Sequence, residues 1–93
     1  MSNIIAGGWS IPETPELTDE VRKIFEEASS DLMGAKAEPF AYLGSQLVSG
    51  RNYKVVARVT PIAPDAHEKL SVYTIYKSLD EDKKAEITDI VDI

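Results

Sequence analysis

Ser45-Gln46-Leu47-Val48-Ser49-Gly50-Arg51-Asn52-Tyr53-Lys54-Val55-Val56-Ala57-Arg58-Val59 carries the pattern that decides the fold. Tyr53, Val55, Ala57 and Val59 recur at every second position, with Lys54 and Arg58 between them. Side chains two residues apart share one face of a strand, so this segment presents an apolar face and a polar one. Upstream, after Pro39, Phe40-Ala41-Tyr42-Leu43 leads into Ser45-Gln46-Leu47-Val48 with the same period. Ser49-Gly50-Arg51-Asn52 reads as the turn, and the pair as an antiparallel hairpin. Leu47 and Val48 are unusual beside a turn, where Asn, Asp, Gly and Ser are preferred. Either they form an apolar tip that a partner covers, or Leu47 ends a core strand with Val48 tucked beneath it.

Working outward, the preceding segment has the period of a helix. Leu17, Val21, Ile24, Phe25, Ala28 and Leu32 make one stripe, with Asp19, Glu20, Arg22, Lys23, Glu26 and Glu27 mostly on other faces. Thr14 is the expected cap, Pro15 the first helical residue, Glu16 an anion in the first turn, and Gly34 the stop. Residues 1–13 show neither period. With Ile4, Ile5, Trp9 and Ile11 around Gly7-Gly8 and before Pro12, they read as an extended arm. Downstream come a polar loop from Pro61 to Lys69, a strand from Leu70 to Lys77, a charged turn Asp80-Glu81-Asp82-Lys83-Lys84, and a last strand from Ile87 to Ile93. One amphipathic helix and a four-stranded antiparallel meander can bury each other's apolar faces. The expected class is therefore α+β, a single two-layer domain over residues 1–93.

Composition narrows the function. The 93 residues are 43% hydrophobic, which suits one packed core. With 16 acidic against 10 basic residues the formal charge is −6, the wrong sign for a nucleic-acid binder. No cysteine is present, so there is no thiol nucleophile, zinc–cysteine site or disulfide framework, and a reducing, cytoplasmic setting is expected. No basic start with a sustained apolar run and no membrane-length apolar stretch occurs, so neither secretion nor membrane insertion is expected. The lone histidine, His67, sits in the polar loop between Ala66 and Glu68 without a residue placed to orient it. A catalytic triad is a constellation, so His67 reads as a solvated loop residue. Asp80-Glu81-Asp82 lacks the alternation and glycine of a calcium loop. No enzyme activity, metal or cofactor is expected.

Gln46-Leu47-Val48-Ser49-Gly50 resembles the Gln-x-Val-x-Gly signature of the cystatin superfamily at its three fixed positions. The order around it is similar too: a Gly-Gly arm, a helix, the motif in the first hairpin followed by Asn52-Tyr53, then Val72-Tyr73-Thr74-Ile75-Tyr76-Lys77-Ser78-Leu79 leading to a second hairpin. The likeness covers nearly the whole chain. Without cysteines or a signal segment it is nearest to the stefin branch, and the helix lacks the Leu-Ala-Arg-Phe-Ala type signature of plant cystatins. The resemblance implies a long helix on a curled antiparallel sheet. It also implies reversible, tight-binding inhibition of papain-like, cathepsin-type cysteine proteases by a wedge of arm and hairpin loops. Ile4, Ile5 and Ala6 would then occupy the non-primed subsites, and Gly7, with Gly8 as the alternative, would turn the arm from the catalytic thiol. Gln46, Leu47, Val48, Ser49 and Gly50 would form the central loop, Leu79 and Asp80 the second. A monomer is implied, with a domain-swapped dimer the alternative. The second loop departs from the family, carrying Leu79-Asp80-Glu81-Asp82 in place of Leu-Pro-Gly or Pro-Trp, and the loop from Pro61 to Lys69 is longer than in most stefins. A cystatin-fold binding module without inhibitory activity is the alternative reading.

Overall fold

The computed structural model describes residues 4–6, 8–30, 35–65 and 67–93. Along the chain these form β1 (Ile4–Ala6), β2 (Trp9–Ile11), α1 (Asp19–Ser29), β3 (Ala35–Val48), β4 (Gly50–Pro61), β5 (Lys69–Lys77) and β6 (Glu86–Asp92). The strands make one open antiparallel sheet in sequence order, and α1 packs on one of its faces. This is the expected α+β, cystatin-like arrangement. The core joins Val21 and Phe25 of α1 to Tyr53, Val55, Ala57 and Val59 of β4 and to Tyr73 and Ile75 of β5, with Ala85 closing it. Phe25 meets Tyr73 edge to face, with ring centroids 5.1 Å apart. Burying such rings contributes more than any polar contact in a domain this small. Leu17, Ile24 and Ala28 line its margin as the stripe requires. Leu32 and the expected stop Gly34 lie outside the described residues.

The helix entrance differs from expectation. Thr18, not Thr14, is the cap, and its Oγ1 accepts from Val21 N at 3.2 Å. Pro15 stays outside the helix because its carbonyl accepts from Tyr42 N at 2.9 Å, a bond to β3 rather than to the next helical turn. Thr14 Oγ1 accepts from Glu16 N at 3.4 Å, ahead of the helix.

Strand β3 begins at Ala35, ahead of Pro39. Register shifts between Pro39 and Ala41 and between Tyr42 and Gly44 leave Phe40 and Leu43 as extra residues against β4. Bulges bend a strand and tolerate a proline without an N–H, so these two curl the sheet around α1. The turn is tighter than read from sequence. Leu47 pairs with Arg51 and Gln46 with Asn52, leaving Ser49 alone at the tip.

The arm is also more structured than expected. Ala6 pairs with Trp9 and Ile4 with Ile11, so β1 and β2 form a small hairpin. Trp9 and Ser10 then pair with Gln46 and Ser45, adding the arm to the edge of β3. Gly44 permits this approach: a Cβ there would lie 2.7 Å from the Ser10 carbonyl oxygen.

Candidate functional site

In an antiparallel sheet laid down in sequence order, alternate connections fall at the same end. The β1–β2, β3–β4 and β5–β6 connections therefore share one end, and the β4–β5 loop lies at the other. Register confirms it, since Trp9 sits beside Gln46, Leu47 opposite Arg51, and Arg51 beside Lys77. Gly8, the tip from Leu47 to Gly50, and the loop beginning Ser78-Leu79 are thus brought to one end of the sheet. Gly7 lies outside the described residues. For Ile4, Ile5 and Ala6 the backbone pairing places them on the same arm hairpin, leading into that end. His67 belongs to the opposite end and is exposed.

The tips are apolar and uncovered. Leu47 is 74% exposed, Val48 44% and Leu79 76%. Leu47 and Val48 point to opposite faces of the strand, and neither tucks under the core. Exposed leucines on two adjacent loops form a surface that gains by excluding water against a partner.

Hydrogen bonds hold these tips in place. Asn52 Nδ2 donates to Gln46 Oε1 at 3.0 Å, across the hairpin. The Tyr76 hydroxyl donates to the Ser49 carbonyl. Gly50 adopts φ +118°, and a Cβ there would lie 2.6 Å from the Lys77 carbonyl oxygen and 2.7 Å from the Tyr76 hydroxyl. Only glycine combines that dihedral with that approach. Gln46 also lies against the arm, 3.3 Å from where a Gly8 Cβ would stand. It therefore lies between the arm turn and the first hairpin.

The second loop is fastened at its base by the helix. Glu27 Oε2 accepts from Lys77 Nζ at 3.0 Å and from Ala85 N at 2.5 Å. Lys77 Nζ also donates to the Lys83 carbonyl at 2.8 Å. The Ala85 amide, and next the Lys77 ammonium, hold the Glu27 carboxyl below its ordinary range. Within the loop, Asp80 Oδ1 accepts from Asp82 N at 3.0 Å and Asp80 N is bonded to Ser78 Oγ at 3.1 Å. Asp80 therefore braces its own turn, an Asx-type arrangement. Glu81 and Asp82 are exposed beside it.

Three residues that matter here were not singled out from sequence. Asn52 was legible in principle, because it and Gln46 are equidistant from Ser49 and so face each other across a tight hairpin. Tyr76 and Glu27 had no local signal, since their partners lie on other elements.

Among the described residues no group of His, Cys, Asp or Glu could hold a metal ion, and no helix is long and apolar enough to cross a membrane. A surface depression of about 660 Å³, lined by Pro12, Glu13, Glu16, Leu17, Asp19 and Tyr42 among others, opens at the helix entrance and shares no residue with the three loops. Comparison with protein-family models, curated proteins and solved structures gives no match to this chain.

Proposed function

We propose that the chain is a reversible, tight-binding inhibitor of papain-like cysteine proteases that acts by filling the active-site cleft, and that it works in the cytoplasm. The observation that carries this reading is the meeting of the arm turn, the Gln46–Gly50 tip and the Leu79 loop at one end of the sheet, with Leu47, Val48 and Leu79 exposed. A cleft is recognised by a narrow, rigid, apolar edge. The bonds from Asn52, Tyr76 and Glu27 order this edge beforehand, so docking costs little conformational entropy. Interfaces of the protease–inhibitor kind bury about 1,600 Å² in total and reach high affinity without a covalent bond.

In this reading Gln46 supports the edge as much as it touches a protease, because Asn52 and the arm already engage it. Leu47 and Val48 are the central apolar contacts, and Leu79 is the contact of the second loop. Titrating active papain tests the proposal: one-to-one, reversible inhibition is expected. Papain whose active-site thiol carries a small blocking group should bind as well, since the edge does not require the thiolate. No inhibition at micromolar concentration overturns it. Binding to blocked papain without inhibition of the active enzyme would instead support a docking module of the same fold.

A further inference from the structure

A two-layer fold covers one face of its sheet with the helix and leaves the other to water, where polar side chains belong. Here α1 covers the face carrying Tyr53, Val55, Tyr73 and Ile75. The opposite face holds an apolar row instead. Val56 pairs with Val72, and Val72 with Val91, so the three lie side by side across β4, β5 and β6. Ala41 extends the row onto β3 as the partner of Val56. Leu70 and Ile93 continue it one step along the strands, where Ile93 N donates to the Leu70 carbonyl at 2.9 Å. Val56 is only 8% exposed and Val72 is half-buried, whereas Leu70 is 38%, Val91 54% and Ile93 77% exposed. Single apolar residues on a surface need no explanation, but a contiguous patch on β5 and β6, continued inward by Val56, does.

The next row carries charge on the same face. Lys54, Thr74 and Asp89 are successive partners across β4, β5 and β6. Lys54 Nζ lies 4.9 Å from the centroid of the Trp9 ring, so a cation already resting on the arm stands two residues from Val56 on one side of β5, and an anion two residues from Val91 on the other. This pattern is complementary to itself. A two-fold axis running parallel to β5, above its uncovered face, places β4 of one copy over β6 of another at equal height. Val72 then meets its own counterpart, Val56 meets Val91, and Lys54 meets Asp89, each contact occurring twice as an isologous interface demands.

We infer that the uncovered sheet face is the interface of a symmetric homodimer, with Val72 on the axis and Lys54 and Asp89 paired across it. Stacked sheets lie about 10 Å apart and cross at about 30°, a gap that apolar side chains fill and a lysine spans. The family resemblance implied a monomer, with a domain-swapped dimer the alternative, and the neighbours of Val56 across the sheet cannot be read from sequence. The inference does not rest on what the loops bind, since Val72, Val91 and Asp89 lie along β5 and β6 away from the loop tips.

Sedimentation velocity on the full chain, from low micromolar to near-millimolar concentration, tests it. A dimer that dissociates on dilution, and more readily at high salt, is expected. Val72→Asp should raise the dissociation constant by on the order of tenfold or more, because it sets like charges on the axis. Since that change touches the sheet itself, the decisive set is electrostatic. Lys54→Glu and Asp89→Lys should each weaken the dimer, and the double variant should restore it, all with the parental circular-dichroism spectrum. A monomer at every concentration overturns the inference. So does a dimer indifferent to the single changes, which would fit domain swapping, or a double variant no stronger than either single.

Discussion

The hydroxyl of Tyr76 donates to the carbonyl of Ser49, so β5 holds the tip of the hairpin made by β3 and β4. The bond spans two strands and fixes the one residue at which the chain reverses. Tyr76→Phe removes it while leaving the ring in place. The Ser49 carbonyl stands where water can replace the lost donor, so the cost to stability should be small, about 0.5–1 kcal/mol by urea unfolding. Dissociation from papain should quicken by more than that loss alone suggests, because the tip is then ordered only on docking. Gly50→Ala should cost more, about 1–3 kcal/mol, since it meets both a left-handed dihedral and the Lys77 carbonyl. Equal unfolding midpoints for parent and Gly50→Ala would show that the tip has another conformation open to it.

Glu27 predicts how the domain responds to acid. Its carboxyl is held below the ordinary value first by the Ala85 amide and then by Lys77. A carboxylate with a depressed folded-state pKa binds fewer protons folded than unfolded. It therefore contributes stability that is fully present above the unfolded value of about 4.5 and is lost as pH falls through the folded one. Asp92, which accepts from Ser71 Oγ at 2.7 Å and Lys69 Nζ at 3.0 Å, acts with the same sign. Glu27→Gln should lower stability near neutral pH by about 1 kcal/mol, a modest figure because the side chain is partly exposed. The gap between parent and variant in thermal unfolding should narrow below pH 4.5. A gap that stays constant from neutral to acid pH would mean that the charge of Glu27 contributes nothing.

The inhibitory reading makes separable demands on arm and tip. Removing residues 1–7 takes away β1 but leaves the core untouched. Inhibition of papain should weaken through faster dissociation, with association little changed. Val48→Asp places an unpaired charge on the face of the tip away from the helix, and should weaken binding by roughly 2–3 kcal/mol if that face is buried in the complex. Stopped-flow rates for both variants provide the check. Two well-folded variants that inhibit like the parent would place the interface elsewhere.

Much of this was open to reading in the sequence, and the misses share a cause. The stripe Val21, Ile24, Phe25, Ala28 and the alternation Tyr53, Val55, Ala57, Val59 are local periods, and local periods report which face is buried. The helix start was misplaced because Thr14-Pro15 and Thr18 are both plausible caps. The bond from Tyr42 to Pro15 that decides between them joins residues far apart in the chain. Pro39 looked like a boundary because its toleration depends on a bulge defined by β4. The arm's strands are too short to show a period, and their pairing is set by Gln46 and Ser45. The loop residues were named from motif and order, whereas what supports them came only from cross-strand register and from Glu27.

The second loop offers the sharpest test of specificity. Asp80 is committed to its own turn, accepting from Asp82 N with its side chain and from Lys83 N, at 3.0 Å, with its carbonyl. Glu81 and Asp82 are exposed beside Leu79 and free of that task. Exposed charges at the rim of an interface act mainly on association rate and partner choice, and salt screens them over a Debye length of about 8 Å at physiological ionic strength. Glu81→Ser with Asp82→Ser should therefore lower the association rate toward proteases with a basic rim on that side of the cleft, raise it toward acidic-rimmed ones, and flatten the salt dependence of both. Adding Asp80→Ser should extend the charge effect by one carboxylate while keeping the turn, because serine can still accept from the amide two residues on. Leu79→Ala should act on the other rate, raising dissociation several-fold by removing apolar area from the contact, about 1 kcal/mol, the scale of one fully buried methylene. Association rates measured at low and high salt against both kinds of protease separate the two effects. If the double serine variant matches the parent on every protease and at every salt concentration, the acidic residues face solvent in the complex and Leu79 alone speaks for this loop.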